Sequence, residues 1–453
     1  MTSHNAPPQH STTASPRDKA EDITFALEIK CLIRQKLPRA DRLSSPGEIR
    51  PFVPHQPEAV LNSMTEAEKQ VQRSTWAAVA IVLHTLPGVR ATTSYQIKEQ
   101  NLNHGDFWRT HWIVYKANSA VPPYVSFEDG DPERPLLDAA APDYNKYVWI
   151  PLEICSPKLY WTRRGEALEA TGRVCEALTQ RFGAIANHSC EVHVHVGRHD
   201  GLFFSLRSMK KLATLLWLAE PILRSLKDPK SRNFDHVYTW SFAWRQHSRI
   251  ALALDSDRRL PGCQTIDDLH TGRSDDLEAF LLALDKVRLH ACDLPPGQRS
   301  HLADENRRAL RAIWHASSHQ ELGRMLCGPD RKRRRLGFNF HSLAGEDERG
   351  RNSPRTIEFR FLEGLNDKSV VSGWVRVCLG LAGLAVDKAE DRDYYDMVAL
   401  LLDMPEGWSV DAKFVAMMHG LDLPKAAYEP LQRVIRNNYP PESEMPEDGV
   451  GNY

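Results

Sequence analysis

Glu191, His193 and His195 share one parity of the stretch Cys190 to Gly197, C-E-V-H-V-H-V-G, while Val192, Val194 and Val196 share the other. A period of two is the side-chain period of a pleated strand, so a carboxylate and two imidazoles stand in line on one polar face. Such a set ligates hard and borderline metal ions, or binds phosphate and moves protons. Four further alternating stretches carry isolated charges in the same way. Glu28 and Lys30 lie in Ile23 to Ile33, Glu153 lies in Tyr147 to Ser156, Arg335, Asn339 and His341 lie in Arg335 to Leu343, and Glu358 and Arg360 lie in Arg355 to Phe361. If these five strands are neighbours in one sheet, their polar side chains converge. Four carboxylates beside histidines repel one another unless cations sit among them, which predicts a divalent ion, Mg²⁺ or Mn²⁺. Cations beside arginines suit a polyphosphate.

The rest of the chain must position those strands. Thr65 to Glu68 reads as a capping box, and Val71, Ala78, Val82 and Leu86 carry a helix that Pro87 stops. Val89 to Tyr95 and Trp112 to Lys116 are short β-like runs, expected as a hairpin. Gly165 to Phe182 and Ser205 to Leu226 are amphipathic at helical spacing, the second with Pro221 inside it. Residues 250 to 330 are helical and polar and suit an insertion or lid, and helical patterns dominate from Ser369 onward. The expected class is α+β: a mainly antiparallel sheet with helices on one face and a concave polar site on the other. The domain reading is a disordered tail over 1–22, one domain over 23–388 with a helical insertion at about 250–330, and a helical extension and tail over 389–453. No Walker loop or dinucleotide-binding glycine motif occurs.

Lysine plus arginine number 58 against 59 acidic residues, so the balance gives no general attraction to nucleic acid or to an anionic membrane. The run Asp330 to Arg335, D-R-K-R-R-R, precedes a strand and reads as an exposed turn. Eight cysteines lie scattered without a C-x-x-C pair, which suits a reducing compartment, and cytosol is the expected location. The most apolar segment, Trp374 to Val386, is shorter than the ~20 residues a bilayer crossing needs and reads as a core helix.

The motifs also carry a resemblance. F-A-L-E-I-K near the start, L-E-I-C-S-P at 152–157, C-E-V-H-V-H-V-G at 190–197, the run from Glu220 to Asn233, R-L-G-F-N-F-H-S-L at 335–343 and T-I-E-F-R-F-L-E-G at 356–364 together resemble the amidoligase family common in fungi. That family is similar to glutamine synthetase and glutamate-cysteine ligase. The resemblance implies a glutamine-synthetase-like catalytic domain and an ATP-dependent carboxylate-amine ligase, acting through an acyl phosphate, with a place in fungal secondary metabolism. Its partners are then a small-molecule acid and amine, with no nucleic acid and no membrane. By position, Glu28, Glu153, His193 and Glu358 would be metal ligands, and His195 would touch metal or phosphate. Arg360 would hold the substrate carboxylate or the phosphoryl group, and Arg232, Arg335 and Asn339 would contact phosphate or substrate. Three positions depart from the family pattern: Lys30 replaces the second glutamate of E-x-E, Glu191 stands where glycine is usual, and Phe361 to Leu365 replaces Q-H-x-G-T. Either Glu191 restores the carboxylate lost at 30 as a further metal ligand, or Lys30 forms an ion pair and replaces one metal, leaving a ligand-binding protein without turnover.

Other classes compete. An H-x-H with a nearby carboxylate also suits a cupin-like metal oxygenase, which requires a jelly roll of many short strands. His193 and His195 alone could be a solvated strand face, and Glu153 and Glu358 could be edge-strand charges that discourage aggregation. Trp108, Trp112, Trp240 and Trp244 read as core or rim packing.

Overall fold

The structure is a computed structural model and describes residues 18–36, 66–117, 119–120, 147–187, 189–229, 243–254, 275–291, 304–329, 336–345, 355–363, 367–386 and 391–440. Arg232, Arg335 and the charged run before it, and most of the expected tail over 1–22, lie outside these residues.

Among the described residues, eight strands form one mixed sheet: β1 (Ile23–Lys36), β2 (Ala91–Thr93), β3 (Trp112–Tyr115), β4 (Tyr147–Cys155), β5 (Leu159–Tyr160), β6 (Glu191–Arg198), β7 (Phe338–Asn339) and β8 (Ile357–Glu363). The order is β2-β3-β4-β1-β6-β8-β7, with β5 pairing β1, and every pairing except β2 with β3 is antiparallel. The long first strand is therefore central, flanked by β4 and β6.

Alternation decides which face each side chain takes. Phe25, Leu27, Ile29 and Cys31 of β1, Ile150, Leu152 and Ile154 of β4, and Val192, Val194 and Val196 of β6 are all buried in one apolar cluster. The helices α1 (Glu66–His84), α2 (Arg164–Phe182), α3 (Leu206–Leu223), α4 (Asp275–Ala291), α5 (Asp304–His315), α6 (Lys368–Ala385), α7 (Arg392–Asp403), α8 (Val410–Gly420) and α9 (Lys425–Asn438) supply much of the rest of that cluster, to which the other strands and shorter helical turns also contribute. The described helices between 250 and 330 contribute Phe280, Leu284, Leu310, Ile313 and Trp314, and those beyond 389 contribute Tyr394, Phe414 and Leu431, to the same core. Trp244 is fully buried, stacked on Phe340 at 5.3 Å and edge-on to Trp217 and Phe338. This single sheet backed by helices is α+β and is not the jelly roll that the oxygenase alternative requires.

α6 is begun by Asp367, whose carboxylate accepts the backbone N–H groups of Ser369 and Val370. It is the one helix among the described residues with the length and hydropathy of a bilayer crossing. It lies inside the protein, with Val371, Trp374, Val375, Cys378 and Leu381 buried.

Three local expectations change. The expected hairpin between 89 and 116 is instead a parallel pair, because Thr93 caps a short helix, Ser94–Glu99, accepting from Gln96 N. Thr93 to Gln96, T-S-Y-Q, is a capping box, and it turns the chain into a helical crossover where a hairpin turn was expected. The strand expected over 335–343 is cut to Phe338–Asn339, since the Asn339 side chain accepts the backbone N–H of His341 at 3.0 Å and a helical turn, His341–Ala344, follows. Finally, β8 carries a bulge. Val194 pairs with Phe359 but Val192 pairs with Leu362, so β8 holds one extra residue opposite His193. The adjacent apolar pair Phe361 and Leu362 can both enter the core as a result, and Glu363 comes to lie opposite Glu191.

The β7–β8 corner depends on a missing side chain. A Cβ at Gly337 would lie 2.1 Å from Phe361 Cζ, while the Gly337 carbonyl accepts the Arg360 N–H at 2.9 Å. Gly337→Ala is expected to cost about 1–3 kcal/mol through overpacking, read as a lower denaturation midpoint at unchanged slope. An unchanged midpoint would show that the Phe361 ring yields freely.

Candidate active site

Because β1 lies between β4 and β6, and β8 follows β6, the polar parities of four strands meet on one face. His193 is the centre of that meeting. Its Nδ1 lies 2.8 Å from Glu28 Oε2 and 2.9 Å from Glu358 Oε1, and its Nε2 lies 2.8 Å from Glu191 Oε2. The ring is 1 % exposed. Burial and the charges of Arg360 and Lys30 push it toward neutrality, but Glu358 and the hydrogen bond with Glu191 outweigh them and lift it to about 9. At neutral pH His193 is an imidazolium donating to carboxylates from both nitrogens.

The carboxylates divide by environment. Burial alone would raise Glu28, yet the charge on His195 and the hydrogen bond from His193 hold it well below the ordinary range. Burial would likewise raise Glu358, but Arg360 and the two histidines hold it well below that range. Glu191 is held low against its burial chiefly by Lys227, then by His193 and Arg360. Glu153 goes the other way, raised by burial and by the charge of Glu28, and accepts from Cys155 Sγ at 3.3 Å. The Cys155 thiol is itself pushed well up by burial, so it stays protonated and is a weak ligand.

Among the described residues, three fixed cations reach this face. Lys227 is fully buried, with Nζ 3.3 Å from Glu191 Oε1. Arg360 is 3 % exposed, with Nη1 2.5 Å from Glu358 Oε1 and Nη2 3.7 Å from Glu191 Oε2. Lys30 is 5 % exposed, with Nζ 3.2 Å from His193 Nε2 and 3.9 Å from Glu191 Oε2. With His193 protonated, the short contact to Lys30 is no hydrogen bond: two cations flank one Glu191 oxygen. The repulsion among carboxylates inferred from sequence is thus partly relieved by the chain's own charges.

His195 differs from its neighbour. Its Nδ1 lies 3.2 Å from Thr356 Oγ1, so the hydroxyl fixes the ring. Its Nε2 is sealed from solvent, 3.1 Å from Glu28 Oε1 and 3.8 Å from Glu358 Oε1, without the geometry of a hydrogen bond to either. Gly197 permits this arrangement, because a Cβ there would lie 2.9 Å from Thr356 Cγ2. One atom from each of Glu28, His195 and Glu358 falls within 4.8 Å of the others, as do atoms of Glu28, Glu153 and Cys155. The first set, two carboxylate oxygens and an imidazole nitrogen, fits a divalent cation of the Mg²⁺ or Mn²⁺ type. The second pairs a protonated thiol with a raised carboxyl and fits one poorly.

The structure therefore brings Glu28, Glu153, Glu191, His193, His195, Asn339, Glu358 and Arg360 to one place. Asn339 donates from Nδ2 to Glu358 Oε2 at 2.8 Å and so orients a carboxylate. Sequence reasoning missed Lys227, which lies inside the quoted run from Glu220 to Asn233, and Glu363, which is 7 % exposed and delivered by the bulge. The break in alternation at Phe361-Leu362 was the available signal for Glu363.

The charge on His193 has a measurable consequence. A group raised from 6.5 to about 9 on folding adds stability that is fully present below pH 6.5 and lost as pH climbs through 9. Chelator-treated protein should melt lower at pH 9 than at pH 6.5, and His193→Gln should flatten that slope.

Residues 58–294, just over half of the chain, match the family model described as "Putative amidoligase enzyme". The match covers Glu153, Glu191, His193 and His195, whereas Glu28, Lys30, Glu358 and Arg360 lie outside it. No curated protein and no solved structure matches the chain.

Proposed function

Because the chain belongs to the amidoligase family, we propose that it joins a carboxylic acid to an amine at the expense of ATP, through an acyl phosphate, on the polar face of its sheet. The observation that carries this reading is the donor set of Glu28, His195 and Glu358 beside the Arg360 guanidinium. Those three residues would hold a divalent cation, which when bound neutralises phosphate oxygens and makes the γ-phosphorus a better electrophile.

The remaining chemistry belongs to the chain's own side chains. Glu28 and Glu358 are kept ionised by the imidazoles and by Arg360, so they are ready to bind without first losing a proton. Thr356 orients His195, Asn339 orients Glu358, and Arg360 clamps Glu358 from the other side. His193, wedged between Glu28, Glu191 and Glu358, holds three strands in register. The incoming acid carboxylate attacks the γ-phosphate, and the amine then displaces phosphate from the acyl carbon, giving an amide, ADP and phosphate. This is the same two-step chemistry that glutamine synthetase performs.

The test is a purified-protein assay that follows ADP and phosphate while acids are supplied with amines, or with hydroxylamine as a general amine. Acid-dependent, Mg²⁺-dependent ADP release with formation of a hydroxamate is the expected result. ADP release that ignores both acid and Mg²⁺ would contradict it. The second reading, ligand binding without turnover, is favoured by one observation, Lys30 lodged against His193. It predicts Mg²⁺-dependent ATP binding with no ADP from any pair.

A further inference from the structure

The polar face has two unlike halves. Around Glu28, Glu358 and His195, the imidazole Nε2 is sealed from solvent and makes no hydrogen bond, with carboxylate oxygens 3.1 and 3.8 Å away. Around Glu191 the positions a metal ion would take are already charged. Lys227, His193, Arg360 and Lys30 approach its two oxygens at 3.3, 2.8, 3.7 and 3.9 Å. Lys30 stands directly opposite Glu153 in the β1–β4 register, so its side chain rises among Glu153, His193 and Glu191, three potential donors. It cannot swing out to water without leaving a buried position.

We propose that the Lys30 ammonium permanently occupies the place of a second divalent cation, so that the site takes one ion, at Glu28, His195 and Glu358, and not two. This rests on the cation site of the reading above and adds a property to it. An ion brought beside Glu191 would meet the ammonium at contact distance, and like charges so close repel strongly where water is scarce. Glutamine at 30 removes the charge and is one atom shorter, which opens room for an ion beside Glu191 Oε2 and His193 Nε2, themselves 2.8 Å apart.

The experiment counts Mn²⁺ bound per full-length chain after chelation, by equilibrium dialysis and by the electron paramagnetic resonance signal of free Mn²⁺. Wild type is expected to bind one ion in this site, Lys30→Arg one, and Lys30→Gln two. Thermal melting gives an independent readout: added Mn²⁺ should raise the melting temperature of Lys30→Gln more than that of wild type, because two bound ions stabilise more than one. Two ions in wild type or in Lys30→Arg would overturn the proposal, as would a single ion in folded Lys30→Gln. If Lys30→Gln does not fold, the wild-type and Lys30→Arg counts still decide. Failure of the cation site itself looks different: wild type would bind none, and Glu28→Gln would change nothing.

Discussion

Glu28→Gln is expected to lower Mg²⁺-dependent ADP release by about 10²–10³-fold while leaving the protein folded. Glu28 belongs to both candidate donor sets and sits on the central strand. Its carboxylate accepts from His193 at 2.8 Å and faces His195 at 3.1 Å. Glutamine keeps the shape and one acceptor oxygen but removes the negative charge and turns an N–H₂ group toward a ring or an ion that needs an oxygen. Its side chain is 25 % exposed, so water can satisfy the new amide and the cost to the fold is small. The check is paired: ADP release at saturating Mg²⁺ and ATP, and melting temperature. Full activity would remove Glu28 from the site, whereas loss of both activity and fold would make it a structural residue.

Lys227→Met should be the most damaging single change to stability around the site, about 3–5 kcal/mol. The lysine is fully buried and its ammonium lies 3.3 Å from Glu191, also buried. Methionine fills similar space but leaves Glu191 one cation short in a place water does not reach, and uncompensated buried charge is the expensive outcome. Glu191→Gln in the same chain should recover part of the loss, so the two changes should be non-additive by about 0.5–3 kcal/mol. Denaturant midpoints of the four proteins in the cycle provide the measurement. Additive effects would mean that the two side chains do not sense each other.

Much of this site could be read from the chain before any coordinates, and the reason is geometric. Strict alternation fixes faces, so the neighbours of Glu28, Glu153, His193 and Glu358 alone put these residues on polar faces, and in the fold His193 lies 2.8 Å from Glu28 and 2.9 Å from Glu358. What alternation cannot supply is which cation approaches which carboxylate. Lys227 follows a short helical turn, Arg224–Leu226, with no periodicity of its own, and reaches Glu191 only because the whole chain brings it there. Register shifts are equally nonlocal: the bulge that presents Glu363 depends on pairing between β6 and β8. Local side-chain competition explains the rest. Thr93 and Asn339 each bind a nearby backbone N–H and end a strand that hydrophobicity would have continued. Buried Lys227, Arg360 and Lys30 heads also approach the carboxylates that strand alternation alone pairs with a metal ion.

The account turns on a single shared face that binds nucleotide through a cation. Calorimetric titration of ATP into the purified chain, with Mg²⁺ and with chelator, on wild type and Glu28→Gln, tests this most directly. ATP should bind wild type only when Mg²⁺ is present and should bind Glu28→Gln far more weakly under the same conditions. Binding that is equal with and without Mg²⁺, or untouched by the substitution, would contradict it.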